Sequence, residues 1–131
     1  MKLGYTIIYV EDVIKTIEFY QKAFGLKLKF LHESNAYAEM ETGKTTLSFA
    51  SNEMAEMNGF AIRKNDIKDI APAFEIAFVT DNPKENYAKA IKNGALPITE
   101  PTKKPWGQIV SYVRDLNGVL VEICSPVEIT S

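Results

Sequence analysis

The sequence predicts an α+β fold of two βαβββ modules, whose curved mixed sheets enclose a cleft. Three features carry this expectation. A strand-like run precedes a capped helix and three further strand-like runs, and the same order returns in the second half. Set against itself at an offset of 69, the chain matches Ile7 with Ile76, Val10 with Val79, Asp12 with Asp81, Lys15 with Lys84 and Gly25 with Gly94. Either half alone would leave one face of a small sheet unburied, so the two are expected to share a core or a cleft.

In the first half, residues 3–10 are β-branched and aromatic and read as a buried strand. Glu11-Asp12 supplies an N-cap, Val13, Ile17, Tyr20 and Phe24 recur at helical spacing, and Gly25 stops the helix. Residues 26–32, 36–41 and 45–51 then read as strands, parted by turns at Glu33-Ser34-Asn35 and Thr42-Gly43-Lys44.

Between residues 52 and 72 the periodicity fades, which suits a crossover connection with room for a short helix. Met54 and Met57, three apart, read as a packing stripe. Residues 74–80 restart a strand. Asn82-Pro83-Lys84-Glu85 then offers an N-cap, a proline in the first turn and a capping-box glutamate, and Gly94 closes the helix. Residues 96–99, 108–114 and 119–125 complete the strand set, with Asp115-Leu116-Asn117-Gly118 as a hairpin turn. The expected organisation is a single domain over 1–131, with module 1 at about 1–51, the connection at about 52–72 and module 2 at about 73–131.

Composition narrows the function. With 46% hydrophobic and 24% charged residues, the chain has ordinary globular usage. Its apolar runs are far shorter than the ~18 residues of a membrane span, and its start lacks a signal-peptide core, so a cytoplasmic location is expected. The net charge of -2, with signs interleaved, points away from nucleic acid and from anionic membranes. One cysteine, Cys124, excludes an intrachain disulfide and multi-cysteine zinc patterns, and it reads as a small buried hydrophobe. One histidine, His32, excludes a 2-His-1-carboxylate iron site within a subunit.

Several motifs resemble the vicinal oxygen chelate superfamily, which includes glyoxalase I, bleomycin-resistance proteins and extradiol dioxygenases. The most specific are Tyr9-Val10-Glu11-Asp12 leading to Phe19-Tyr20-Gln21-Lys22-Ala23-Phe24-Gly25-Leu26, and Tyr112-Val113-Arg114-Asp115-Leu116-Asn117-Gly118-Val119-Leu120-Val121-Glu122. The segments Phe74 to Asp81 and Pro105-Trp106-Gly107-Gln108 add to the likeness. The resemblance implies the two-module fold and a homodimer, the latter favoured also by the edge strands of two small sheets.

In metal-dependent members the first, fourth, fifth and eighth strands donate His or Glu ligands. By resemblance these positions fall at Tyr5, near Ser48, at Glu75 and at Glu122. Tyrosine and serine are poor ligands for zinc or nickel, so no metal site is expected. The ligand-binding candidates are Tyr5, Ser48, Glu75, Trp106, Tyr112, Arg114 and Glu122. Plainer roles stand beside them: core packing for the tyrosines and for Trp106 under its loop, a solvent or lysine-paired position for Glu122, and neutralisation of Asp115 or Glu122 for Arg114.

These residues lead to an expected metal-independent protein that binds or sequesters a small organic molecule without a cofactor, as bleomycin-resistance proteins do. The alternative is a lyase or isomerase related to glyoxalase I, with Glu122 and Glu75 as catalytic carboxylates and a weakly bound hard divalent metal. A purely structural dimerisation module is the third possibility.

Overall fold

A computed structural model describes residues 1–127; the last residues of module 2 as drawn from the sequence, 128–131, lie outside the described residues. The chain divides into two compact units, Met1–Asp66 and a second from Ile67 onward.

The first unit holds β1 (Tyr5–Val10), α1 (Val13–Phe24), β2 (Lys27–Leu31), β3 (Tyr37–Glu41), β4 (Thr46–Ser51) and α2 (Asn52–Met57). Its strands form one sheet in the order β1-β4-β3-β2, with β1 parallel to β4 and the remaining pairs antiparallel. Asp12 caps α1 as its short acidic side chain suggests, its Oδ1 accepting from Lys15 N at 3.0 Å. Gly25 ends the helix at φ 69°, a left-handed conformation that a side chain would oppose. The apolar stripe of α1 is buried at Val13, Ile17, Tyr20 and Ala23. It covers the sheet face bearing Ala38, Met40, Leu47 and Phe49, where the Tyr20 and Phe49 rings meet at 4.8 Å.

The second unit repeats the plan with β5 (Glu75–Val79), α3 (Pro83–Lys92), β6 (Leu96–Lys103), β7 (Ile109–Arg114) and β8 (Leu120–Cys124). The sheet order is β5-β8-β7-β6, and β5 is again parallel to its neighbour β8. Val113, Val121 and Ile123 are buried on the face that α3 covers. At the expected hairpin turn, the buried Asp115 carboxylate accepts from Asn117 N at 2.8 Å and Val119 N at 2.9 Å, while Gly118 takes φ 87°. Two βαβββ modules are therefore present, each with a four-stranded mixed sheet and a helix on one face.

Four local expectations change. β6 runs to Lys103 rather than stopping at Thr99, because an edge strand accommodates Pro97 and Pro101 through register shifts at Pro97/Thr99 and Thr99/Thr102. Asn82 does begin α3, but its side chain makes no cap hydrogen bond; instead Asn82 N donates to Thr80 Oγ1 at 3.1 Å. Met57 is 78% exposed and packs no stripe, since α2 ends there after six residues.

The fourth change concerns the internal match. Pairing registers equate Tyr5 opposite Thr46 with Glu75 opposite Leu120, which is an offset of 70 in the first strand of each module. At 69, the core residue Val10, 1% exposed, would match Val79, 63% exposed, on the opposite kind of face. N-caps Asp12 and Asn82 also differ by 70, whereas Gly25 and Gly94 differ by 69. The second helical segment is one residue shorter, which is where the two offsets part.

Candidate functional site

Alternation along a strand sends successive side chains to opposite faces, and paired strands keep their partners on the same face. In the second unit, Ala77 lies opposite Glu122, and Glu122 opposite Tyr112. Glu75, two residues before Ala77, and Cys124, two after Glu122, share that helix-free face. Five of the site's groups follow from this pleat: Glu75 from β5, Tyr112 from β7, Glu122 and Cys124 from β8, and Gln108 just before β7.

Their electrostatics are those of crowded acids. Glu75 is held above the usual carboxylate range, first by desolvation, then by the charge of Glu122 and a side-chain hydrogen bond with it. The Tyr112 phenol is pushed up to about 12, by burial first and then by its hydrogen bond to Glu122. The Cys124 thiol rises to about 11, again by burial first and then by its hydrogen bond to Glu122. At neutral pH, Tyr112 and Cys124 thus both keep their protons beside Glu122. Cys124 is 2% exposed with its Sγ 3.7 Å from Phe78 O, which suits a packed thiol and not a nucleophile.

Gln108 joins this cluster to the loop. Its Oε1 accepts from Trp106 Nε1 at 2.8 Å, its Nε2 donates to Ser125 O at 2.8 Å, and it also hydrogen-bonds the Cys124 thiol. Trp106 itself is 59% exposed, above a turn closed by Gly107 N donating to Lys104 O. Arg114 sits at the end of β7, its guanidinium donating to Gly118 O at 2.8 Å, Asp69 O at 2.7 Å and Ile67 O at 3.3 Å. Its fork fastens the 67–69 segment to the hairpin turn.

The first unit carries the corresponding face. By strand register, Tyr5 stands where Glu75 stands, Ser48 where Glu122 stands, and Glu39 where Tyr112 stands. Tyr5 is 55% exposed, while Ser48 is fully buried. The Tyr37 hydroxyl lies 2.8 Å from Glu39 Oε2 and 3.1 Å from Ser48 Oγ. A phenol has one proton, which goes to the carboxylate, so Ser48 is the donor in the second contact. Burial is the main cause raising the Tyr37 phenol above its ordinary value; Ser48 works against it and Glu39 with it. Phe30 lies 6.4 Å from the Tyr37 ring and extends the aromatic surface.

Of the sequence candidates, Glu75, Tyr112 and Glu122 come together in the second unit, with Trp106 linked through Gln108. Tyr5 and Ser48 share a face of the first. Sequence reasoning missed Gln108, Tyr37 and Glu39. The signal for Glu39 is its register position, two strands from Tyr5 through Ser48, which appears only once β3 and β4 are paired. His32 lies outside both faces, its Nδ1 2.7 Å from Ser34 Oγ in an exposed turn.

These residues do not fit a histidine-bearing metal centre. Glu75 and Glu122 hydrogen-bond each other, the Ser48 hydroxyl is engaged with Tyr37, and among the described residues no group of three or more His, Cys, Asp or Glu is placed to hold an ion. Among the described residues no helix is long and apolar enough to cross a membrane.

A family model described as Glyoxalase/Bleomycin resistance protein/Dioxygenase superfamily matches residues 2–123. The protein YraH of Bacillus subtilis (strain 168) is 29% identical over 125 residues, covering 94% of this chain and 97% of YraH. A glyoxalase-related enzyme from Fulvimarina pelagi superposes with a TM-score of 0.82 at 15% identity, over 96% of this chain and 88% of that one. A glyoxalase/bleomycin resistance protein/dioxygenase family enzyme from Burkholderia phytofirmans PsJN gives 0.79 at 23% identity, over 98% and 100%. At such identities the two structures speak for the fold alone.

Proposed function

The chain belongs to the glyoxalase/bleomycin resistance protein/dioxygenase superfamily, and from that premise we propose that it binds and sequesters a small organic molecule without a metal. The observation that carries this reading is the hydrogen-bonded Glu75 and Glu122 pair, flanked by the protonated Tyr112 and Cys124. Crowded acids on a partly desolvated face repel an anion and accept a neutral hydrogen-bonding or cationic ligand. Trp106, 59% exposed, supplies a π-face for stacking or for a cation. On the first sheet the exposed Tyr5 offers a hydroxyl, while Ser48 is buried against Tyr37. We further propose that the chain works in the cytoplasm as a single domain and assembles as a homodimer, which light scattering at twice 14.7 kDa supports and at 14.7 kDa rejects.

The lyase or isomerase reading draws on one feature, the raised Glu75, since a carboxyl that holds its proton more tightly than usual is suited to proton transfer. Metal analysis of dialysed, untagged protein, followed by assay of thiol adducts of ketoaldehydes with added magnesium or manganese, separates the two. The binding reading expects no stoichiometric metal and no turnover. Ion-dependent turnover abolished by Glu122→Gln would replace it with the enzyme reading.

A further inference from the structure

The chain contains three Asn-Gly pairs, Asn58-Gly59, Asn93-Gly94 and Asn117-Gly118, and the fold puts them in different settings. Such a pair is chemically labile, because glycine has no side chain to shield its amide nitrogen from the neighbouring carboxamide. In all three the glycine N–H is engaged: Gly59 N donates to Glu56 O at 3.0 Å, Gly94 N to Ile91 O at 3.1 Å and Gly118 N to Asp115 O at 3.0 Å. Attack by that nitrogen therefore needs the local structure to open, and the cost of opening decides which pair reacts.

Opening is costly at two of them. Asn93 ends the ten-residue α3, and its Nδ2 donates to Lys89 O at 2.8 Å. Ala95, next after Gly94, is 4% exposed and donates from its N to Ala90 O at 3.0 Å. Asn117-Gly118 lies between Asp115 and Val119, each 1% exposed, and the Asp115 carboxylate ties down the amides of both Asn117 and Val119. The remaining pair follows α2, whose six residues are too few to hold a helix by their own hydrogen bonds. Asn58 and Gly59 are both exposed, and a Cβ placed on Gly59 would meet no atom within 4 Å. An easily opened amide and free space around it coincide at this pair.

We propose that Asn58 is a self-modification site that deamidates through a cyclic imide. The Gly59 amide nitrogen gives its proton to water and bonds to Asn58 Cγ, the Cγ–Nδ2 bond breaks, and ammonia leaves. Water then opens the imide at either carbonyl, so that residue 58 becomes aspartate or isoaspartate without an oxidant, a reductant or a second protein. Either product adds a negative charge at the C-terminal end of α2, where unpaired helix carbonyls already disfavour one. Isoaspartate also lengthens the main chain by a methylene, which breaks the bonds from Gly59 N to Glu56 O and from Phe60 N to Ala55 O. The edge-on contact of Phe60 with Tyr9 at 5.9 Å then loosens as the molecule ages. Nothing in this assignment depends on Glu75, Glu122 or Trp106.

The test ages the full-length chain in mildly alkaline buffer, folded and in urea, and maps its peptides by mass spectrometry. The folded chain is expected to gain about 1 Da at Asn58 at least about fivefold faster than at Asn93 or Asn117, with aspartyl and isoaspartyl peptides both resolved. In urea the three pairs should react within about threefold of one another, since the folded structure is what separates them. Asn58→Gln should remove the main acidic species that builds up on native charge separation. Deamidation led by Asn93 or Asn117, no mass gain at Asn58 while the urea-unfolded chain reacts, or the same ranking in urea would each overturn the proposal.

Discussion

Glu75 on β5 and Glu122 on β8 share a hydrogen bond although both are acids, because parallel pairing of these strands puts Glu122 opposite Ala77, two residues beyond Glu75 and on its face. The protein thus holds two carboxyl groups where full ionisation of both is disfavoured. Such an arrangement costs stability at neutral pH.

Replacing Glu75 by glutamine should expose that cost. A carboxyl raised in the folded state above its ordinary 4.5 contributes stability that is full below that value and is lost as pH rises past the raised one. The contribution is therefore smaller at pH 7 than in acid, and the repulsion from Glu122 is larger. Glu75→Gln is therefore expected to raise Tm by about 2–4 °C at pH 7 and to change it little near about pH 3.5. A Tm that falls at pH 7, or rises equally at both pH values, contradicts a raised Glu75 carboxyl.

Cys124 should be slow to alkylate. Moving its thiol from 9.0 to about 11 lowers the thiolate population at pH 8 by about a hundredfold, and burial lowers access further. The native chain should react with iodoacetamide at least about a hundredfold more slowly than the urea-unfolded chain. Glu122→Gln, which removes the charge opposing thiolate formation, should speed the reaction. Native and unfolded rates within a factor of about ten would speak against this environment.

The roles of Arg114 and the acid cluster should separate by mutation. Lysine keeps the charge but cannot reproduce the fork that reaches the carbonyls of Ile67, Asp69 and Gly118. Arg114→Lys is expected to lower stability by about 2–3 kcal/mol in urea denaturation while leaving ligand preference by charge unchanged. A variant of native stability with a reversed preference would make Arg114 a ligand contact instead.

Much of the fold was legible from local signals. Asp12, Gly25 and the Asp115 to Gly118 turn each act through their own neighbours, and each does in the structure what its residue type suggests. Non-local pairing was not legible. The continuation of β6 past Pro101 depends on an edge position and on register shifts that no local pattern encodes. Tyr37 and Glu39 became site residues only when β3 was placed beside Ser48, and the carbonyl partners of Arg114 at residues 67 and 69 lie more than forty residues away in sequence. The spacing from N-cap to terminating glycine, Asp12 to Gly25 against Asn82 to Gly94, is one residue shorter in the second module and likewise misled a fixed-offset comparison, because offset 69 fits the terminating glycines but not the strands.

The most direct test of the central claim uses the fluorescence of Trp106, the single tryptophan, which Gln108 connects to the acid cluster. Phenethylamine, phenethyl alcohol and phenylacetate share one aromatic body and differ in charge. Titrated into the native chain, the amine and the alcohol should bind more tightly than the acid, and in Glu122→Gln the advantage of the amine should shrink. If phenylacetate binds best, and Glu122→Gln leaves the order unchanged, the acidic face does not select the ligand and the account is wrong.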